Sequence, residues 1–373
     1  IIKGLLSPPP AQVTGAKKAA GYLLSHRPND TALAVNRLLA KGEEVFWLKQ
    51  PLSVGGKTFE AGTIYIEAGA ATRPALERLA AEKGLEFFGL ERKPAGEAFR
   101  LRPVRVGLWD SYGGSMPSGW IRWLLEQFEF PARQIYVPEL EAGALGETCD
   151  VLILVGGAIP QPRDGRESPE EAFYRDMTRI SPEDVPQEYK HMLGQVTPEK
   201  TIPQLLKFME EGGTVLAIGG STALASYASL PLANALTEKL PDGSEKPLSG
   251  DKYYIPGSIL QVRVDNSNPL AYGMPDKADV FFNNSPTFRM LPQAALKGLK
   301  SVAWFEGKEP LRSGWAWGQG YLEGGVAVLS APYGKGKLIL FGPEITFRGQ
   351  PHGTFKFLFN GIYLGAALDI ILN

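Results

Sequence analysis

Ser221 follows two glycines at the end of an apolar run, Thr214 to Ile218, and precedes Thr222-Ala223-Leu224. Strand, tight glycine turn and helix is the arrangement by which a hydrolase lifts a nucleophilic serine above its sheet, so Ser221 is the first residue to weigh for acyl transfer. The spacing departs from Gly-x-Ser-x-Gly, because Ala223 stands where the last glycine belongs. A serine entering a helix also serves as a cap, and that reading is the favoured one. His352 and Glu344 would supply a base and its orienting carboxylate; Asp110 is the alternative carboxylate. His352 lies between Pro351 and Gly353, where a loop or capping role suits it at least as well.

A wider constellation surrounds these three. Loops at Asp110-Ser111-Tyr112-Gly113-Gly114, Gly156-Gly157-Ala158, Gly219-Gly220-Ser221-Thr222 and Gly342 to His352 each follow an apolar run. In open parallel sheets ligands bind beyond the carboxyl ends of the strands, where glycines let backbone N–H groups approach. The candidate ligand-binding set is therefore Asp110, Ser111, Gly113, Gly157, Gly220, Ser221, Glu344, Arg348 and His352. Tight turns and ordinary caps would require the same glycines, Asp110 and Ser221 without any ligand.

Metal chemistry finds no foothold in the spacing. The three histidines, His26, His191 and His352, are scattered, and neither H-E-x-x-H nor H-x-x-E occurs. Cys149 is the single cysteine, which excludes an intrachain disulfide and a cysteine zinc cluster. No metal and no cofactor is expected in this chain. An aromatic group, Trp304, Phe305, Trp315, Trp317 and Tyr321, either fills a core between short strands or offers a stacking surface to a glycan or peptide.

The elements that must hold these residues alternate strand and helix. Tyr22 to Ser25, Asp30 to Ala40 and Glu44 to Leu48 read as βαβ, with Asn29 or Asp30 as the helix cap and order starting near Gly21. A hairpin at Leu52 to Glu67, a helix at Arg73 to Lys83 and a strand at Leu85 to Leu90 follow, and Lys93 to Gly96 is a credible boundary. The second unit reads Val104 to Trp109 (strand), Gly119 to Phe128 (helix), Gln134 to Val137, Val151 to Val155, Pro198 to Glu211 (helix), Thr214 to Ile218 and Thr222 to Ser229 (helix). Short strands come next, with a hairpin turning at Gly334-Lys335-Gly336 and a closing helix at Thr354 to Leu368. The expected fold class is α/β: two Rossmann-like or flavodoxin-like units, residues 1–100 and 101–373, the larger carrying added short antiparallel strands. A Pro-rich excursion, Arg163 to Pro186, is longer than a connection needs and reads as an ordered surface insertion, or as a lid or docking arm.

Length and composition agree with two packed units, since the chain has 373 residues and 44% hydrophobic side chains. With 39 basic against 40 acidic side chains there is no field to hold a phosphate backbone or an anionic membrane. Nucleic acid is not an expected partner. No apolar run approaches the roughly 20 residues of a membrane span. The Ser7 to Pro10 stretch reads as a linker, and Ile1-Ile2-Lys3-Gly4 as the start of a piece cut from something longer.

Two resemblances follow from these residues. From about Arg102 onward, Asp150-Val151-Leu152-Ile153-Leu154-Val155-Gly156-Gly157 resembles the strand and oxyanion loop of class I glutamine amidotransferase-like domains. That family carries a cysteine nucleophile, then a histidine and a glutamate; here no cysteine follows Gly219 and His352 precedes Gly353-Thr354, so the domain resembles a degenerate member. Over nearly the whole chain, Val106 to Gly114, Gly119-Trp120-Ile121-Arg122-Trp123-Leu124-Leu125-Glu126-Gln127-Phe128, Phe347-Arg348-Gly349-Gln350-Pro351-His352-Gly353-Thr354-Phe355-Lys356, His26 to Leu39 and Pro269 to Met274 resemble the region C-terminal to the peptidase domain in large bacterial carboxypeptidase A-like zinc metallopeptidases. The resemblance implies a secreted or periplasmic protein and an accessory role. It also implies that the zinc and its ligands lie in an upstream peptidase domain, the implied partner. An independent serine-type hydrolase, or a carbohydrate- or peptide-binding module, are the alternative readings.

Overall fold

The computed structural model describes residues 8–9, 11–162 and 180–373. Ser7 and Pro10 of the expected linker, residues 1–4, and residues 163–179 of the excursion lie outside the described residues.

The first sheet is assembled from short strands, of which the central ones, at 21–24, 45–48 and 64–66, are buried and apolar. In order they are β1 (Val13–Gly15), β2 (Gly21–Leu24), β3 (Val45–Leu48), the separate hairpin β4 (Leu52–Val54) and β5 (Lys57–Phe59), β6 (Ile64–Glu67), β7 (Phe87–Leu90) and β8 (Gly96–Arg100). Order therefore begins by Val13, ahead of Gly21, because β1 pairs parallel with β7. Helices α1 (Asp30–Ala40) and α2 (Thr72–Lys83) connect β2 to β3 and β6 to β7. Although β2 and β3 run the same way, β6 lies between them and antiparallel to both. The α/β class holds, but this strand order is the split βαβ of ferredoxin-like sheets and not the adjacent parallel pair of a Rossmann-like unit.

The reason lies in which faces are covered. Tyr22, Leu24, Val45, Trp47, Ile64 and Ile66 join the main core, whereas Leu23, Phe46, Leu48 and Tyr65 form a second cluster roofed by Leu52, Val54 and Phe59 of the small hairpin. A sheet covered on both faces writes a continuous apolar run whatever the direction of its strands. β8 starts at Gly96, the last residue of the segment expected as a boundary. Its outer neighbour is β23 (Leu368–Leu372), so residues outside 1–100 complete the first sheet.

The larger unit begins with β9 (Val106–Trp109), β10 (Ala132–Ile135), β11 (Val151–Leu154) and β12 (Thr214–Ile218). Further strands are β13 (Leu232–Asn234), the ribbon β14 (Thr237–Lys239) and β15 (Glu245–Pro247), β16 (Pro256–Val264), β17 (Lys277–Asn283), β18 (Phe288–Met290), β19 (Lys300–Trp304), β20 (Leu311–Ser313), β21 (Val326–Tyr333) and β22 (Gly336–Phe341). The parallel core runs β10-β9-β11-β12-β22, the 2-1-3-4-5 order of flavodoxin-like sheets. β21, β19, β16 and β17 extend it antiparallel from β22.

Several boundaries differ from expectation, and the helix expected over Thr222 to Ser229 is a tight turn, Gly219–Ala223, followed by a single helical turn, Leu224–Tyr227. Helix α3 (Met116–Gln127) starts before Gly119, since Pro117 suits the first turn of a helix where no N–H is needed. β10 begins at Ala132, two residues early. The closing helix spans Phe355–Ala366 and yields to β23, which the apolar continuity of Leu364 to Leu372 conceals. This helix lies across both units, with Phe355, Phe359 and Tyr363 in one continuous core with Trp47 and Leu216.

Candidate functional site

In a 2-1-3-4-5 sheet the strand order reverses between β9 and β11, and the loops leaving their carboxyl ends flank the crevice where ligands bind. The loop after β9 is organised by Asp110. Its Oδ1 accepts the N–H groups of Ser111 (2.9 Å) and Ser115 (2.8 Å), and Gln134 Nε2 approaches Oδ2 at 3.4 Å. The carboxylate is buried and shapes the entry to α3, holding the loop that carries Ser111 and Gly113. Gly113 and Gly114 both adopt φ of +82°, which glycine supplies without strain.

Next to this loop a cleft of about 840 Å³ is lined by Ser111, Tyr112, Glu141, Glu199 and Lys200 and by residues 192–195. The last part of the excursion forms its wall. The short turn Gln187–Met192 rests there, with Tyr189 against Tyr112 (6.5 Å between rings) and His191 edge-on to Tyr136 (5.7 Å). His191 is tied by Nδ1 to the Glu188 carbonyl at 2.8 Å.

Beyond β11 and β12 the second part of the constellation does come together. A methyl group on Gly219 would lie 2.6 Å from Glu344 Oε1, one on Gly156 would lie 3.2 Å from the same oxygen, and one on Gly220 would lie 3.9 Å from the Gly157 N–H. Glu344 is half-buried and burial raises its carboxyl above the ordinary range, because no charged or hydrogen-bonding partner among the described residues stabilises the anion.

Ser221 is in the same place but is already engaged. Its Oγ donates to the Val155 carbonyl and accepts the Ile159 N–H at 3.2 Å, and the residue is wholly buried. It therefore neither caps its own turn, Gly219–Ala223, nor sits free as a nucleophile; it pins the loop after β11 to the loop after β12. His352 makes no hydrogen bond to it. The His352 ring is exposed and packs on Phe355 at 4.8 Å, and its carbonyl accepts from Asn29 of the small unit. Asn29, expected as a helix cap, spends its side chain on this contact and on Lys356. The Ser221, His352 and Glu344 or Asp110 arrangement expected of a hydrolase is thus not assembled.

Arg348 is exposed and adopts φ of +51°, with its guanidinium 5.1 Å above Phe347, which in turn stacks on Phe281 at 3.7 Å. The aromatic group divides. Phe305 is core, whereas Trp315, Trp317 and Tyr321 are each about half exposed and gain Tyr254 as a neighbour, 6.1 Å from Trp315. Among the described residues no three His, Cys, Asp or Glu side chains gather closely enough to hold a metal ion. Nor is any described helix long and apolar enough to cross a membrane.

No protein-family model and no curated protein matches the chain. Solved structures similar in outline include a GMP synthase subunit from Thermoplasma acidophilum (14% identity, TM-score 0.39, 70% of this chain and 94% of that one). A ThuA-like protein from Bacteroides uniformis (8%, TM-score 0.36, 70% and 89%) and a β-galactosidase from Bacillus circulans sp. alkalophilus (8%, TM-score 0.37) also resemble it. The chain overlaps 72% of its own length with the β-galactosidase but only 31% of that enzyme. At these scores the fold rests on the strand order of the chain itself.

Proposed function

We propose that this chain is a non-catalytic recognition module, the accessory region of a larger secreted or periplasmic zinc carboxypeptidase-like protein whose peptidase domain precedes it. The observation that carries the non-catalytic part is Ser221, whose hydroxyl holds two backbone groups of the neighbouring loop. A nucleophile must be free to lose its proton to a base and to reach a carbonyl carbon, and this hydroxyl can do neither without opening the site. Support for the accessory part comes from the phrases around Trp109, Trp120 and His352 that resemble such proteins.

The ligand on this reading is a peptide segment bound in the large cleft beside Ser111 and Tyr112. That cleft mixes both charges, Glu141 and Glu199 against Lys200, with apolar Met192 and Leu193, as a peptide with its alternating polar backbone and side chains requires. The test is titration of the purified chain with peptides, alongside assays for peptidase and esterase turnover with added zinc. Saturable peptide binding weakened by Tyr112→Ala, with no turnover, is expected. Turnover that survives purification and disappears in Ser221→Ala, or a covalent adduct on Ser221, would overturn the reading.

A further inference from the structure

A second cleft, of about 310 Å³, opens between the turn Gly219–Ala223, strand β13 and the segment 284–288. It falls at the lower end of the roughly 300–1,000 Å³ typical of small-molecule sites, and none of its described lining residues is charged.

Three amides line it, and each has one end already committed. Asn234 Oδ1 accepts the Leu236 N–H at 2.9 Å, Asn284 Oδ1 accepts the Ile255 N–H at 2.8 Å, and Gln161 Nε2 donates to the Gly220 carbonyl at 3.0 Å. These bonds fix which way each amide points. What remains is the amino groups of Asn234 and Asn284 as donors and the Gln161 carbonyl as an acceptor, with the Ser226 hydroxyl able to act in either sense. Asn284 is further fixed because its own N–H donates to the Ile255 carbonyl at 2.8 Å, holding φ at +42°, a conformation asparagine tolerates. Leu230, Leu236 and Phe288 supply apolar wall.

We propose that this cleft binds a neutral, hydroxyl-rich molecule of monosaccharide size. A charged ligand would be desolvated here with no counter-charge. An apolar one would bury two amino groups without acceptors. A hydroxyl both donates and accepts, so a ring of hydroxyls satisfies fixed donors on one side and a fixed acceptor on the other, while the carbon skeleton meets the leucines and Phe288. The site is separate from the peptide cleft at Ser111, and neither reading depends on the other.

The test uses the whole chain in ligand-observed NMR and titration calorimetry. Glucose, galactose, mannose and N-acetylglucosamine are the probes, with a blocked dipeptide and acetate as competitors of other chemistry. At least one sugar should saturate, and the side-chain amide signals of Asn234 and Asn284 should shift with it. Asn234→Asp and Asn284→Asp keep the oxygen that holds the Leu236 or Ile255 N–H but replace the amino group with an acceptor. Each should weaken binding by about tenfold, whereas Trp317→Ala, in the exposed aromatic group, should leave it unchanged. Sugar-free spectra throughout, saturation by the dipeptide instead, amide shifts confined to other residues, or unaltered affinity in both folded Asp variants would each overturn the proposal. If an Asp variant fails to fold, the amide shifts of the unaltered protein decide the matter.

Discussion

His26 donates through Nε2 to Oδ1 of Asn360, 2.8 Å away and 334 residues along the chain, inside the seam between the two units. Asn360 Nδ2 donates to the carbonyls of Leu270 and Tyr272, each at 3.0 Å, so its oxygen must face the imidazole and the ring proton must be on Nε2. One buried amide thus joins three segments. Asn360→Ala would leave two carbonyls and one imidazole N–H without partners. A loss of about 3 kcal/mol or more in urea-unfolding stability is expected, against much less for exposed Asn373→Ala.

The same pair sets an acid limit. Burial, with Lys356 nearby, lowers His26 to about 3. Above its ordinary value near 6.5 both folded and unfolded chains hold it neutral, so its full contribution is present there. As pH falls from 6.5 towards 3, only the unfolded chain takes up the proton, and stability falls. Unfolding midpoints measured across that window should decline for the natural chain, and the decline should be shallower in His26→Gln.

Lys356 produces a slope in a different window. Its ammonium is buried against the Pro28 carbonyl (3.1 Å) and Asn29 Oδ1 (3.2 Å), and burial lowers it to about 7 despite the favourable charge of Asp30. Between pH 7 and 10.5 the unfolded chain holds a proton that the folded chain has released, so stability should rise with pH there. The limit for one proton is about 1.4 kcal/mol per pH unit. Lys356→Met should flatten that rise in denaturant titrations at pH 7.5 and 9.5, values chosen as about the lower and upper parts of the window.

Ser221→Ala removes a buried hydroxyl that serves two loops. It should cost about 1–3 kcal/mol of stability while leaving peptide binding at the Ser111 cleft intact once the protein is folded. An activity-based fluorophosphonate should label neither the natural chain nor the variant, as read by intact mass.

Glu344 differs in sign from an ion-paired carboxylate. Burial alone raises it, so the folded chain holds its proton to higher pH than the unfolded chain, and stability falls as pH rises through the carboxylate range. Glu344→Gln should be neutral or stabilising by up to about 1 kcal/mol near pH 7, and should remove that part of the pH dependence.

Much of the larger unit is legible in the sequence because burial on both faces leaves a plain mark: Val106 to Trp109, Val151 to Val155 and Val215 to Ile218 are apolar runs followed directly by aspartate or glycine. The same mark misleads in the smaller unit, where a hairpin roof makes antiparallel strands equally apolar. β23 is invisible, since Leu368 to Leu372 continues the composition of the helix before it. Ser221 stands out by its glycine turn, but its partners Val155 and Ile159 are more than 60 residues away, and only the packed sheet brings them near. Asn234 and Asn284 belong to no motif. Their meaning depends on which end of each amide the backbone has already taken.

The position of β23 against β8 orders events during synthesis. When residue 100 leaves the ribosome, the first sheet has every strand except its last neighbour, and β8 still offers an open edge. Closing the intervening loop costs entropy that grows only slowly with length, so the delay is one of timing more than of free energy. The five-stranded parallel layer can therefore mature while the earlier sheet waits, and a nascent chain stalled before residue 368 would expose a strand edge to its neighbours on the polysome.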